Sequence, residues 1–186
     1  MGKNHSEQIV MTFSEGEEYG VLLACKSFYY TYQQLRKQSL FSHQYESNEE
    51  RLARLDAEMM STEERPFLFP ALATNGSLAA ELALKYLVAK ETGILKKGHY
   101  LSDLYFNQLP QQHRNALNEL LFRDAHQNEA TLKSNLLQYD KHFEQARYFY
   151  EKDAIGISGF FDDFVRIVCD YAITVNLIQC SRDGGA

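Results

Sequence analysis

Arg147 is the residue whose position constrains its chemistry most. It lies on the apolar stripe of a predicted helix, between Phe143 and Tyr150. A guanidinium buried there needs an acidic partner or an anionic ligand, because removing its charge from water is costly. Glu81 is the predicted partner, since it interrupts the most apolar stretch of the chain. Arg147 is therefore either half of a structural ion pair or a contact for a ligand phosphate.

A polar cluster is predicted around that pair. Glu81 and Lys85 stand one helical turn apart, a spacing that favours an ion pair along a helix. His99 follows two lysines and precedes Asp103 by one turn. These ligands are too few for a metal ion, so we expect His99 to bond the backbone at a helix start and predict no metal site. The candidate ligand-binding or structural cluster comprises Glu81, Lys85, His99, Arg147 and Tyr150.

Short motifs of well-known enzyme sites are absent from the sequence. It contains no P-loop, no G-x-S-x-G, no H-E-x-x-H and no Glu-x-x-His of di-iron bundles. No cofactor is predicted.

The element that must position the cluster is the apolar stretch of residues 66–90. Alanine and leucine dominate it, and both favour helix. Pro66 or Pro70 should open the helix, and Gly93 should close it. Because Pro70, Asn75, Gly76 and two charges interrupt the stretch, it predicts the central helix of a soluble bundle rather than a membrane span.

Other helices are predicted from apolar residues at three- and four-residue steps. The long ones cover residues 17–43, 110–126, 129–151 and 159–180, and a single helical turn is predicted near Ser102. Residues 46–65 form either a short amphipathic helix or a mobile excursion. Val and Ile are sparse outside the last helix, which disfavours sheets. The predicted fold is all-α, a bundle of four to five long helices with short connecting helices. Residues 17–180 should form one domain, between a flexible N-terminus (1–16) and a disordered tail (181–186).

Composition narrows the function classes. A net charge of −6 does not favour broad nucleic-acid or acidic-membrane binding, although a local basic patch stays open. Three widely spaced cysteines and the lack of a signal-peptide core predict a cytoplasmic protein. Twelve phenylalanines and twelve tyrosines exceed what one small core hides, which predicts an aromatic interface and a homodimer.

A family resemblance rests on three short runs. They are Asn75, Leu78, Glu81-Leu82, Leu84-Lys85 and Leu87; then Gly98-His99, Leu101 and Leu104; then Ala146-Arg147-Tyr148 and Tyr150-Glu151. Over residues 66–180, with 17–43 as the first helix, the chain resembles the HEPN superfamily of nucleotide-binding domains. The resemblance implies an all-α bundle that often dimerises and works in toxin–antitoxin, phage-defence or RNA-processing systems. Many members are metal-independent ribonucleases in which four to six residues separate an Arg from the His that follows it.

The sequence departs from that ribonuclease motif. No histidine follows Arg147, and residues 119–121 hold Glu and Leu where a partner for Arg114 should stand. Only Arg36 and His43 have the spacing, at the end of the first long helix. The leading hypothesis is therefore a non-catalytic HEPN-like module that binds a nucleotide, RNA or partner protein. The first alternative is a ribonuclease toxin that uses either Arg36 and His43 or a composite site across the dimer. The second alternative is a structural partner subunit of a nucleotidyltransferase.

Overall fold

The fold is seen in a computed structural model that describes residues 11–12, 17–38, 53, 68–140 and 159–183. In chain order its elements are β1 (Met11–Thr12), α1 (Glu17–Gln38), α2 (Phe69–Thr92), β2 (Ile94–Leu95), α3 (Leu101–Asp103) running on into a π-helical segment (Leu104–Gln108), α4 (Gln111–Ala125), α5 (Glu129–Tyr139) and α6 (Gly159–Asp183). The all-α prediction is confirmed. The strands of the described ranges form one two-residue antiparallel ladder, which pairs Met11 with Leu95 and Thr12 with Ile94.

The predicted central helix is α2. Pro70 stands in its first turn, where the missing N–H removes no helical hydrogen bond. Gly93 ends it in the left-handed conformation, with φ of 67°, and donates its N–H to the Ala89 carbonyl. Both boundaries agree with the sequence prediction. The side chains of Ala80, Ala83 and Leu87 are fully buried, and α1 and α6 both pack against this helix.

The predicted apolar face of the last helix, α6, comprises Phe160, Phe164, Ile167, Tyr171, Val175 and Ile178. Phe164 and Ile167 are buried and three others are partly buried against the core, whereas half of Ile178 is exposed. The helix also buries residues outside that face: Phe161, Val165, Val168, Cys169 and Ala172. The buried surface is broader than predicted because α6 packs against α1, α2 and α4 together. The helix also continues past the predicted end at Cys180 to Asp183.

The shorter elements follow local capping rules. Asn128 caps α5, accepting from the Thr131 N–H while the Thr131 hydroxyl accepts from the Asn128 N–H. The Asp140 carboxylate accepts the Ser102 N–H at 2.7 Å and so covers the start of α3. Of the predicted helix 129–151 the structure describes the part up to residue 140. The predicted segment 46–65 lies outside the described residues, apart from Ala53. Within the ranges described, no helix is long and apolar enough to cross a membrane.

Candidate functional site

The predicted polar cluster has a buried half and an exposed half. Glu81 Oε1 accepts a hydrogen bond from Lys85 Nζ at 2.7 Å and lies 2.9 Å from His99 Nδ1. The Glu81 and Lys85 side chains are 6% and 9% exposed, whereas that of His99 is 72% exposed. Since an ionised carboxylate only accepts, Nδ1 carries the proton, and the described residues place no partner on Nε2. A buried ion pair thus fixes the orientation of a surface imidazole.

Three of the five predicted cluster residues come together here: Glu81, Lys85 and His99. His99 does not take the partner expected from sequence, because it bonds the Glu81 carboxylate rather than backbone at a helix start. Asp103 instead accepts from the side chains of Asn107, at 2.7 Å, and Gln108. Arg147 and Tyr150 lie outside the described residues, so the pairing of Arg147 with Glu81 stays a prediction.

The buried hydroxyl of Ser77 lies on α2 close to the polar cluster. Ser77 precedes Glu81 by one turn, as Glu81 precedes Lys85, and it is 4% exposed. In the described part of the chain its Oγ has no hydrogen-bond partner. A buried polar atom of this kind is normally satisfied, so a ligand or water that bonds Ser77 would lower its free energy. Ser77 is not among the residues predicted for the polar cluster.

The loop that carries His99 is basic and aromatic; we call residues 96–100 the basic loop. It follows β2, which is paired with β1, and precedes α3. Gly98 has φ of 133°, a conformation that glycine adopts at little cost. Lys97 is exposed, and Tyr100 is 49% exposed. The loop therefore presents a lysine ammonium, an imidazole and a phenol ring to solvent around one anchored histidine.

Arg36, the predicted catalytic arginine, holds two helices together. Its Nη2 lies 2.6 Å from Asp162 Oδ2, at the first turn of α6. The Tyr32 hydroxyl donates to the other oxygen of Asp162 at 2.8 Å. Burial, and then the Asp162 carboxylate, raise the pKa of Tyr32 far above its ordinary value, so the hydroxyl stays a donor. His43, the second residue of that motif, lies outside the described residues.

A second polar cluster was not anticipated. The buried His113 of α4 joins Tyr171 of α6, whose hydroxyl is 2.9 Å from Nδ1, to Glu91 of α2, whose Oε1 is 3.2 Å from Nε2. Burial lowers the pKa of His113 although Glu91 opposes the shift. Burial, and then Glu91, raise the pKa of Tyr171. One signal was present in the sequence: His113 shares a four-residue spacing with the buried Leu117 and Leu121, so it had to face the core.

Comparison of the chain with protein-family models, with curated proteins and with solved structures finds no match. The resemblance to the HEPN superfamily therefore stays a prediction. Across the described residues, no group of three His, Cys, Asp or Glu side chains could hold a metal ion.

Proposed function

We propose that this chain is a binding module, non-catalytic toward RNA, whose basic loop holds a phosphate of single-stranded RNA or of a nucleotide. The observation that carries the proposal is the anchoring of exposed His99 by the buried Glu81–Lys85 pair. An exposed histidine on an otherwise solvated loop would lose much conformational freedom on binding a ligand. The hydrogen bond to Glu81 lowers that cost before the ligand arrives.

The chemistry of the loop favours a phosphate joined to a base. Lys96 and Lys97 supply positive charge, His99 supplies a ring nitrogen, and the Tyr100 ring offers a face for stacking. RNA contacts spread over a large surface are disfavoured, because the whole chain carries a net charge of −6. We therefore propose a short, local contact with one or two nucleotides.

Arg36 is assigned no catalytic role in this proposal. A catalytic arginine must reach the developing charge of the substrate, and the Arg36 guanidinium already lies against the Asp162 carboxylate. A place in a toxin–antitoxin or defence system, or beside a nucleotidyltransferase, follows only from the HEPN resemblance and stays a prediction.

We expect Lys97→Ala and Tyr100→Ala to weaken binding of a fluorescein-labelled single-stranded RNA in an anisotropy titration. Loss of Lys97 removes one phosphate contact, so the slope of log K against log salt should fall by about 1. Loss of the Tyr100 ring removes one stacked base, which should cost about 1–3 kcal/mol of binding free energy. Competition by unlabelled ATP distinguishes a nucleotide site from an RNA site.

The matched control is Lys133→Ala, which removes the same charge from an exposed position on α5. It should leave the affinity unchanged. Wild-type protein that binds neither RNA nor ATP, or a Lys133 variant as weak as the Lys97 variant, would refute the basic loop as the site. RNA that is cut during the titration, in a manner that Arg36→Ala abolishes, would establish the ribonuclease alternative instead.

The outer face of α1 favours a second binding role, as a homodimer interface. Tyr19, Leu23 and Tyr30 lie along one face of this helix and are 46%, 47% and 64% exposed. The occupant we propose is the α1 helix of a second copy, packed antiparallel. Such a pairing sets the acidic start of each helix, EEY, against the last turn of the other, where Lys37 is exposed while Arg36 is engaged with Asp162.

We expect sedimentation equilibrium to show a dimer at micromolar concentration, and Tyr30→Glu to shift it to monomer, because two buried carboxylates would face an apolar surface. Leu137→Glu is the control, since Leu137 is 56% exposed and lies on a different helix, α5. A wild-type monomer, or equal dissociation by both variants, contradicts the proposal.

A further inference from the structure

The second cluster is a directed hydrogen-bond relay. Glu91 as a carboxylate only accepts, so His113 Nε2 carries the ring proton and donates to it. The other nitrogen, Nδ1, then holds a lone pair and accepts from the Tyr171 hydroxyl. The direction therefore runs from hydroxyl to imidazole to carboxylate. This is the order in which a base activates a hydroxyl nucleophile while a third group orients the base.

We propose that Tyr171 is a nucleophile for acyl transfer, with His113 as its general base and Glu91 as the positioning residue. This site shares no residue with the basic loop and lies beyond the binding function proposed above. Tyr171 is partly exposed as a residue, whereas the His113 side chain is 5% exposed. Glu91, at 35% exposure, connects the relay to the surface at the end of α2.

The charges of the site favour an acyl donor over a phosphoryl donor. The relay ends in the Glu91 carboxylate, and a phosphoryl donor would bring further negative charge beside it. Lys90 adds one positive charge nearby, but its ammonium donates to the Tyr86 hydroxyl and to the Val175 carbonyl, each at 3.3 Å. An uncharged activated ester meets no such repulsion.

The step balances without a further reactant. The Tyr171 oxygen forms a bond to the carbonyl carbon of the ester, and the bond from that carbon to the leaving phenolate breaks. The Tyr171 proton moves to His113 Nδ1, and the resulting imidazolium is stabilised by Glu91 through Nε2–H. With p-nitrophenyl acetate the products are an acetylated tyrosine and p-nitrophenolate.

The test is to treat the full chain with p-nitrophenyl acetate and to locate the acetyl group by peptide mass spectrometry. We expect Tyr171 to react about 100-fold faster than the phenol of free N-acetyltyrosinamide under the same conditions, as general-base assistance of this kind implies. Tyr171→Phe should remove the fast release of p-nitrophenolate, and Lys133→Ala, which changes an exposed side chain on α5, should not.

His113→Gln separates chemistry from structure, because a glutamine can keep both hydrogen bonds but cannot take up the proton. It should slow acetylation of Tyr171 at an unchanged melting temperature. Glu91→Gln should also slow the acetylation of Tyr171 and should alter the pH profile of that rate. A purely structural role of Glu91 would leave the pH profile unchanged. Acetylation of Tyr171 no faster than that of free N-acetyltyrosinamide, or a rate unchanged in the His113→Gln variant, overturns the proposal.

Discussion

Replacing Glu81 by alanine should lower the free energy of unfolding by about 3–5 kcal/mol. The reason is the position of Lys85, whose side chain is 9% exposed and whose ammonium lies 2.7 Å from Glu81 Oε1. Without the carboxylate, a buried cation loses its partner and recovers little hydration. Lys85→Ala should be costly for the same reason, since it leaves Glu81 with only the exposed His99. Urea denaturation followed by far-ultraviolet circular dichroism measures each value.

The double change to Leu at both positions should cost less than the sum of the two single alanine changes, because no charge is left buried. Asp124→Ala serves as the control: its ion pair with Arg123, at 2.7 Å, is on the surface and should contribute little. Additive single effects at positions 81 and 85 would show that the two charges do not depend on each other. The ion pair would then be no anchor for His99.

Local chain chemistry explains why the ends of α2 could be predicted. Proline at the first turn and glycine in the left-handed conformation after the last turn are requirements of the helix itself, independent of its neighbours. The spacing of Glu81 and Lys85 is equally local, and the structure shows the pair. The fold class follows from the same kind of information, namely the period of the apolar residues.

Contacts between distant parts of the chain could not be predicted in this way. The link from Tyr32 to Asp162 spans 130 residues, and that from His113 to Tyr171 spans 58. Apolar periodicity tells which face of a helix is buried, but it does not tell which neighbour covers that face. This is why Arg36 was considered as a catalytic residue when the structure places it on Asp162, and why the relay on His113 was missed.

Gly76 is where helix propensity and packing make opposite predictions. In the interior of a helix, alanine is more favourable than glycine by about 1 kcal/mol, so propensity alone predicts that Gly76→Ala stabilises the protein. A Cβ at this position would lie 2.9 Å from ring carbons of both Phe161 and Tyr32. Neither ring can yield easily: the Tyr32 hydroxyl is bonded to Asp162, and the Phe161 ring stacks on that of Tyr139 with centroids 5.0 Å apart.

We therefore expect Gly76→Ala to destabilise the protein by about 1–3 kcal/mol, the usual cost of overpacking a dense core. Gly20→Ala is the matched control, because among the described residues nothing outside its own stretch of helix lies within 4 Å of a Cβ built at this other helical glycine. It should stabilise by up to about 1 kcal/mol. In urea denaturation, Phe161→Leu combined with Gly76→Ala should cost less than the two separate changes added together, since the smaller side chain gives the new methyl group room. If Gly76→Ala stabilises as much as Gly20→Ala does, α2 does not approach α1 and α6 as closely as its glycine contacts require.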